Sequence, residues 1–438
     1  MSQVNLPSES TSPEANSTGR RNFLKTSAAL AVAGSVATTM TGARTLHAAG
    51  SDTLKVALIG CGGRGTGAAV DAMAADKNAK ITVLADAFGD RIETARNSLK
   101  NPLGEQLDVK NENCFVGIDA YKQVMASDVD VVLLCSPPGF RPSHLRAAVE
   151  AGKHVFCEKP VAVDAPGVRH VLESVEMARS KNLNLVSGLC WRYDYGVRET
   201  MKQIQDGAIG DIVAIQENYL AGPLWHRGRE DKWSEMEYQM RNWLYFTWLS
   251  GDHNVEQHIH SLDKAMWLMG DKPPKHCYGI GGRQVRTDAK WGNIYDHHAV
   301  VYEWDNGVKC FAFTRQMPVG FNETEDYVIG TKGKASLIKH EVTAGDTKWK
   351  YRGPKPSMYK VEHVELFGAI RAGTPINNGI YMSYSTLLAI MGRMATYTGE
   401  KITWEMAMNS KEDLTPPKLE LGDTPVPAVA IPGTTKFL

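Results

Sequence analysis

Two short stretches of the chain carry side chains whose types and spacing could move a proton. The first, residues 153–160, is an apolar run that ends in Glu158, Lys159 and Pro160. Because proline has no N–H to donate to a sheet, the run reads as a buried strand that stops at Pro160. A lysine at the carboxyl end of a parallel strand faces the crevice where α/β sheets bind ligands. Lys159 is therefore a candidate catalytic cation, and a solvated lysine at a strand end is the competing interpretation.

The second stretch, residues 252–260, belongs to a segment whose apolar spacing predicts a helix over residues 255–269. Glu256 and His260 would share one face of that helix, with His253 one turn earlier. Three interpretations follow: a carboxylate that orients a catalytic imidazole, a metal site made by the histidines with Glu256, or polar residues that cap a core helix. We favour the acid–base pair and expect no metal, since no cysteine cluster or aspartate-rich loop accompanies these residues.

A glycine-rich turn precedes both stretches. A buried strand at residues 54–59 runs into Gly60, Gly62 and Gly65, spaced Gly-x-Gly-x-x-Gly, and an alanine-rich helix follows. The first glycine permits the tight turn, the second lets the backbone approach a pyrophosphate, and the third lets helix and strand pack closely. Free N–H groups at the start of the helix would bind the phosphates. The pattern predicts a dinucleotide-binding site.

The next predicted strand, residues 81–86, ends in Asp86. A carboxylate at this position would accept hydrogen bonds from the adenosine ribose and repel a 2′-phosphate. NAD is therefore favoured over NADP. The nearby Arg91 weakens that preference. Residues 136–138, Ser-Pro-Pro, end a later strand. The two prolines would either form a rigid wall near the nicotinamide or simply make the turn that ends the strand. The predicted cofactor-binding residues are Gly60, Gly62, Gly63, Arg64, Gly65, Asp86, Ser136, Pro137, Pro138, Glu158 and Lys159.

Strands and helices alternate as far as residue 188. Further strands are expected near residues 114–116, 129–135 and 183–187, which with those above make six. This alternation is typical of an α/β domain with a doubly wound parallel sheet of the Rossmann type, placed at residues 50–190.

The pattern changes after residue 190. Residues 191–412 contain strands with alternating apolar residues, which predicts an α+β domain with a predominantly antiparallel open sheet. A helix at residues 382–398 is expected to pack back on the first domain. The free face of the sheet is expected to form a homodimer or homotetramer. Residues 413–438 are proline-rich and predict an extended tail.

The second domain also carries the candidate substrate pocket. Most of the ten tryptophans lie between Trp191 and Trp304, and their indole faces suit sugar rings, so a small carbohydrate is the expected ligand. Basic and acidic residues balance at 49 each, which gives no field that would attract nucleic acid. The candidate substrate residues, for which core packing is an equal alternative, are Arg192, Tyr193, Trp225, His226, Arg241, Trp243 and Tyr245.

The first 49 residues are predicted to be a targeting segment. Arg20 and Arg21 precede Phe-Leu-Lys and a weakly apolar run at residues 28–36, the pattern of a twin-arginine signal. The run is too short to span a membrane. We expect the twin-arginine translocation machinery to deliver the protein to the periplasm, or otherwise export it. The seven dispersed cysteines are expected to remain free thiols.

The motifs described above resemble those of the Gfo/Idh/MocA oxidoreductases, which include glucose–fructose oxidoreductase and inositol dehydrogenase. The resemblance is carried by residues 60–65, Asp86, and residues 136–138, 151–160, 188–193 and 260–270. It implies that Lys159 lies beside the nicotinamide and the reacting hydroxyl, and that His260 is the general base. Glu256 stands where the family usually has a substrate-binding aspartate.

The resemblance implies an NAD(P)-dependent dehydrogenase that oxidises a CH–OH group of a sugar, glycoside or polyol. Because no nicotinamide pool is evident outside the cytoplasm, the cofactor is expected to stay tightly bound and to be recycled. Two alternatives remain open. One is an NAD-dependent glycoside hydrolase that oxidises, eliminates, hydrates and re-reduces its substrate. The other is a non-catalytic nucleotide-binding scaffold or sensor.

Overall fold

A computed structural model describes residues 53–438, which contain two sheets. The first consists of β1 (Leu54–Ile59), β2 (Ala79–Asp86), β3 (Cys114–Val116), β4 (Val131–Leu134), β5 (His154–Cys157) and β6 (Leu185–Ser187). All its strands pair in parallel, in the order β3-β2-β1-β4-β5-β6. The direction of winding reverses between β1 and β4, so a crevice opens at their carboxyl ends. The predicted Rossmann sheet is confirmed.

Helices cover both faces of this sheet. Val56 and Leu58 of β1 belong to one hydrophobic cluster, whereas Ala57 and Ile59 belong to another. Burial on both sides explains why these strands are continuous apolar runs. The helices are α1 (Gly63–Ala75), α2 (Gly89–Leu103), α3 (Ala120–Ala126), α4 (Arg141–Glu150) and α5 (Ala165–Ser180).

The second sheet is mixed and mostly antiparallel, as predicted. Its strands are β7 (Ile212–Ala221), β8 (His276–Gly282), β9 (His297–Glu303), β10 (Lys309–Gln316), β11 (Glu323–Gly330), β12 (Gly333–Ser336), β13 (Glu341–Ala344), β14 (Thr347–Lys350) and β15 (Ile402–Thr403). They are ordered β14-β13-β12-β11-β7-β10-β9-β8-β15, and β7 pairs with β10 in parallel.

The remaining helices join the two sheets. They are α6 (Tyr195–Gln205), α7 (Glu235–Arg241), α8 (Thr247–Ser250), α9 (His253–Glu256), α10 (Ile259–Leu268), α11 (Met358–Ala372), α12 (Gly379–Thr398) and α13 (Trp404–Asn409). Helix α12 lies against the first domain: Val161 N donates to Thr386 Oγ1 at 3.2 Å, and Arg393 donates to the Val163 carbonyl at 2.7 Å.

The chain after α13 runs over the surface without helix or strand as far as residue 438. It is fixed by hydrogen bonds, among them one of 2.9 Å from the Tyr295 hydroxyl to the Ala430 carbonyl. Among residues 53–438, no helix is long and apolar enough to cross a bilayer. The predicted signal at residues 1–49 lies outside the described residues.

Candidate active site

The glycine turn between β1 and α1 is shaped by two close backbone approaches. Gly60 has φ +96°, and a Cβ built there would lie 2.5 Å from Ser136 N. A Cβ on Gly65 would lie 1.9 Å from the carbonyl oxygen of Gly60. At Gly62 and Gly63, in contrast, a Cβ would meet nothing within 4 Å. The turn therefore fits a dinucleotide, because it leaves room for phosphates beside the free N–H groups of α1.

Asp86 ends β2 beside this turn. Its carboxylate accepts hydrogen bonds from Cys61 N at 2.7 Å and from Phe88 N at 3.0 Å. Burial raises the pKa of the Asp86 carboxyl, and the two backbone donors oppose that rise. Each oxygen retains a lone pair for a ribose hydroxyl, so the position suits the adenosine half of a dinucleotide.

A cavity of about 450 Å³ extends along the turn, Asp86 and the end of β4. Of the predicted cofactor residues, it is lined by Gly60, Gly62, Gly63, Arg64, Gly65, Asp86, Ser136 and Pro137. Pro138 is buried, and neither it nor Glu158 or Lys159 lines the cavity. His144, which the sequence did not single out, also lines the cavity, and its Nδ1 lies 3.1 Å from Ser136 Oγ. Burial lowers the pKa of His144 to about 3, so this imidazole is neutral at pH 7.

Glu158 connects the end of β5 with the glycine turn. Its carboxylate accepts a hydrogen bond from Arg64 Nε, while Arg64 Nη2 donates to Glu362 at 2.8 Å. The Glu158 carboxylate also accepts from the backbone N–H of Lys159 at 3.1 Å, but it makes no bond to the Lys159 ammonium. Glu158 therefore positions the turn and the backbone of Lys159 rather than the lysine head group.

The Lys159 ammonium is held by Glu256 from the second domain. It donates to the Glu256 carboxylate at 2.7 Å and to the Glu256 carbonyl oxygen at 2.5 Å. The two side chains are only 13% and 12% exposed. Charge-assisted hydrogen bonds of this length fix an ammonium firmly. The predicted contact in which Glu256 orients the imidazole of His260 is replaced by an ion pair with Lys159.

A break in the predicted helix explains this change. The segment expected as one helix forms α9 and α10, separated at Gln257 and His258. His258 N donates to the His253 carbonyl at 3.1 Å, a five-residue step that widens the turn, and His260 N then donates to Gln257 at 3.2 Å. Such local π-type turns are frequent at functional sites. Glu256 and His260 consequently do not stand one helical turn apart on a single face.

His260 lies at the start of α10 with its imidazole almost enclosed. Its Nδ1 is buried and has no hydrogen-bond partner within residues 53–438. Burial, and then the positive charges of Lys159, Lys264 and Arg64, hold the pKa of His260 well below its usual value. The imidazole is therefore neutral at pH 7 and able to accept a proton.

Lys264, which the sequence analysis did not predict as a site residue, binds the backbone of His260. Its ammonium donates to the His260 carbonyl at 2.7 Å and pairs with Asp326 at 2.9 Å. Lys264 and Asp326 are both fully buried. In the sequence, the position of Lys264 four residues after His260 could have indicated this contact. Its partner Asp326 lies on β11 and meets Lys264 only in the folded protein.

His253 contributes to a buried network instead of joining Glu256. Asp252 lies 2.8 Å from His253 Nδ1 and 3.2 Å from His298 Nε2. The Asp252 carboxylate also accepts from Tyr295 N at 2.9 Å. Asp252, His253 and His298 lie close enough together to bind a metal ion. Their mutual hydrogen bonds, however, already satisfy the Asp252 carboxylate.

The candidate substrate residues separate into groups. Trp225, Arg241 and Trp243 line the same cavity as the glycine turn and Asp86, not a separate sugar pocket. Tyr245 is buried and donates to the Trp225 carbonyl at 2.8 Å, so it braces that loop. His226 Nε2 lies 3.0 Å from the Lys290 carbonyl and braces the loop as well.

Arg192 and Tyr193 are committed to packing. The Arg192 guanidinium binds Asp263 at 2.9–3.0 Å and Asp271 at 2.6 Å, and it lies 3.9 Å from the Tyr381 ring centroid. The Tyr193 hydroxyl donates to Asn378 at 2.8 Å. Arg192 thus has no spare direction for a sugar, and its geometry favours a structural role.

Comparisons with known proteins agree with this arrangement. Residues 54–188 match the model of the oxidoreductase family GFO_IDH_MocA, NAD-binding Rossmann fold. The chain is 28% identical over 222 residues to 2,7-anhydro-N-acetylneuraminate hydratase of Escherichia coli (strain K12), across 50% of this chain and 54% of the relative. It is 25% identical over 302 residues to inositol 2-dehydrogenase of Rhizobium meliloti (strain 1021), across 67% of this chain and 80% of the relative.

A solved structure shows the same fold beyond the first domain. The crystal structure of aldose-aldose oxidoreductase from Caulobacter crescentus, complexed with glycerol, superposes with a TM-score of 0.63 at 19% identity. The match covers 80% of this chain and 99% of that one. The alignment with the Escherichia coli hydratase, in contrast, spans about half of that relative's length. The glycine turn, the strand order and the family match show that residues 54–188 are similar to the NAD-binding Rossmann domain of the Gfo/Idh/MocA oxidoreductases.

Proposed function

We propose that the chain is an NAD(P)-dependent dehydrogenase that oxidises a CH–OH group of a sugar, glycoside or polyol. One observation carries the proposal: Lys159, which Glu256 anchors at the end of β5, is close enough for its charge to act on a neutral His260 at the start of α10, and the adjacent Glu158 binds Arg64 of the glycine turn. Pure nucleotide binding requires neither the base nor the anchored cation. The inositol dehydrogenase relative supports a polyol or sugar as the substrate class.

The side chains divide the work of the reaction. The bound nicotinamide supplies the hydride acceptor. Because Nδ1 of His260 is enclosed by protein, Nε2 is the nitrogen left to accept the hydroxyl proton. The Lys159 ammonium donates a hydrogen bond to the oxygen as negative charge develops there, and Glu256 keeps that ammonium in place.

The identity of the nucleotide depends on opposing charges. Asp86 favours NAD, whereas Arg91 and Arg227 line the same cavity, and neither guanidinium has a hydrogen-bond partner within the described chain. We propose NAD, with NADP as the weaker ligand, because Asp86 is fixed by two backbone donors beside the turn.

Release of the nucleotide from purified protein by denaturation, followed by its chromatographic identification, is the first test. Incubation of the holoenzyme with a panel of sugars and polyols should then raise absorbance near the reduced-nicotinamide band. A protein that releases nucleotide but reduces none with any sugar would contradict the dehydrogenase and support the scaffold alternative.

The redox-neutral glycoside hydrolase is the second candidate. The Escherichia coli relative is named a hydratase, and hydration involves no net oxidation, which favours a retained cofactor that is reduced and reoxidised within one cycle. Net hydrolysis of a glycoside without any carbonyl acceptor would support this candidate. Strict dependence on an acceptor would exclude it and support the dehydrogenase.

We also propose a homo-oligomer formed through the second sheet. Its uncovered face presents Tyr278 and Phe311 opposite Val301 in one row, and Ile280 and Phe313 in the next. The side chains of Tyr278, Ile280, Phe311 and Phe313 are 38–76% exposed, and together they form an apolar patch of the kind that marks interfaces.

Sedimentation at micromolar concentration tests the interface. Phe313→Asp should shift a dimer or tetramer to a smaller species, because a carboxylate would be buried in the contact. Phe321→Asp, in the loop before β11, is the matched control and should sediment like the wild type. A monomeric wild type would refute the proposal.

Export remains a proposal from Arg20 and Arg21 alone. A fusion of residues 1–49 to a reporter, with Arg20→Lys and Arg21→Lys as the paired control, tests delivery by the twin-arginine machinery. Retention of the unaltered fusion in the cytoplasm would refute the periplasmic assignment.

A further inference from the structure

We propose that the second domain completes the cofactor site. A segment of that domain, residues 224–249, here termed the clasp, closes over the adenosine half of the dinucleotide and retains it through repeated turnovers. The inference rests on the proposed function in one respect, that a dinucleotide occupies the cavity.

The cavity has walls from both domains. The glycine turn and the end of β2 form the first wall. The second wall comes from the clasp and consists of Trp225, Arg227, Met240, Arg241 and Trp243. A nucleotide held on the glycine turn would therefore be enclosed by side chains from the second domain, among them Arg241, which lies 151 residues after its first-domain partner Asp90.

The position along the cleft identifies the enclosed half. In a Rossmann site, the acid after β2 marks the adenosine ribose. The Arg241 guanidinium lies 4.1 Å from the ring centroid of Phe88, two residues after Asp86. The indoles of Trp225 and Trp243, with centroids 6.4 Å apart, offer aromatic faces on which an adenine ring can stack.

A paired ionic contact holds the clasp to the first domain. Both terminal nitrogens of Arg241 donate to the Asp90 carboxylate at 3.0 Å, near the start of α2. Arg241 Nε donates to Glu237 within α7 at 2.8 Å, which fixes the guanidinium plane. The same contact lowers the pKa of Asp90. Two-pronged pairs of this kind add geometric specificity to their strength.

An apolar cluster reinforces the contact. It combines buried clasp residues with side chains of the first domain, so the closed position buries surface of both. The clasp contributes Met236, Tyr238, Met240, Tyr245, Phe246 and Trp248, and the first domain contributes Ala87, Phe88, Ile118 and Phe140.

The C-terminal tail supports the outer side of the clasp. Met236 N donates to the Gly422 carbonyl at 3.0 Å, and Gln239 Nε2 donates to the Pro425 carbonyl at 3.2 Å. The clasp is thus fixed on two sides. Dissociation of the nucleotide requires the Arg241–Asp90 pair and the apolar cluster to separate, whereas exchange of a sugar at Lys159 does not.

The experiment measures nucleotide retention in the absence of sugar. Purified holoenzyme is desalted, and protein-bound nucleotide is quantified by absorbance after timed filtration. Arg241→Met and Asp90→Asn should each raise the dissociation rate constant about tenfold, and the double variant should add little, because both remove one contact. Trp243→Ala should raise it at least as much through lost stacking.

Lys232→Met is the matched control. Lys232 lies in the same segment, pairs with Glu230 at 3.0 Å and is 77% exposed, so its loss should leave the rate constant unchanged. Folded Arg241→Met and Asp90→Asn variants, verified by circular dichroism, that release nucleotide at the control rate would overturn the clasp. Retention without oxidation of any sugar would contradict only the proposed function.

Discussion

Lys159→Met is expected to lower kcat by about 10²–10³-fold, the usual loss when one donor to a developing oxyanion is removed. The ammonium is fixed by the carboxylate and the carbonyl oxygen of Glu256 at 2.7 and 2.5 Å, so it meets a reacting oxygen without further ordering. Methionine keeps the length of the side chain but donates no hydrogen bond. Single-turnover reduction of the bound nucleotide measures the chemical step directly.

Lys153→Met provides the control for this change. Lys153 precedes the same strand at its opposite end, where its ammonium donates to the Ser127 carbonyl at 3.2 Å. Its replacement should leave kcat within about twofold, since surface substitutions away from special features have small effects. Activity of Lys159→Met within tenfold of the wild type would remove Lys159 from the mechanism.

His260→Ala is expected to reduce kcat by about 10²–10⁴-fold, the range for loss of a general base. His170→Gln, on the outer helix α5, is the control and should retain activity. Alanine removes the proton acceptor but leaves Lys264 free to hold the backbone of α10 through the carbonyl of residue 260. Unchanged activity in His260→Ala would place the base elsewhere.

The pH profile gives a second, independent measurement on the same residue. A base works only above its own pKa, and burial together with Lys159 holds the pKa of His260 well below the ordinary value of about 6.5. The midpoint of the acid limb of the kcat/KM profile should therefore lie well below pH 6.5. Lys159→Met removes a nearby positive charge, so the limb of its residual activity should move to higher pH. A wild-type limb at the ordinary histidine pKa would contradict the assignment.

The sequence alone determined the Rossmann fold of the first domain and the position of its glycine turn. The glycine spacing at residues 60–65 and the acid at Asp86 depend on local backbone geometry, and the structure places them where the pattern predicts. Alternation of apolar residues likewise predicted the mostly antiparallel second sheet, because alternate residues of a strand face opposite sides of the sheet and only one side is buried.

The contacts that join distant segments required the tertiary structure. The break at Gln257 and His258 turns Glu256 away from His260 and toward Lys159, 97 residues earlier in the chain. Arg192 could have bound a sugar, but Asp263 and Asp271 meet it only in the folded protein. Periodicity describes one element at a time and carries no information about which distant charge will neutralise a given side chain.

Lys159 and the clasp, residues 224–249, also show which features follow from the sequence and which require the tertiary structure. The sequence by itself determined that a lysine ends one buried strand and that a glycine turn ends another, since strand and turn are local features. Only the tertiary structure decided that Glu256 holds the lysine and that Trp225 and Trp243 line the cavity beside the glycine turn. Both outcomes depend on how the second domain docks on the first, and docking is set by burial of surface from both domains at once.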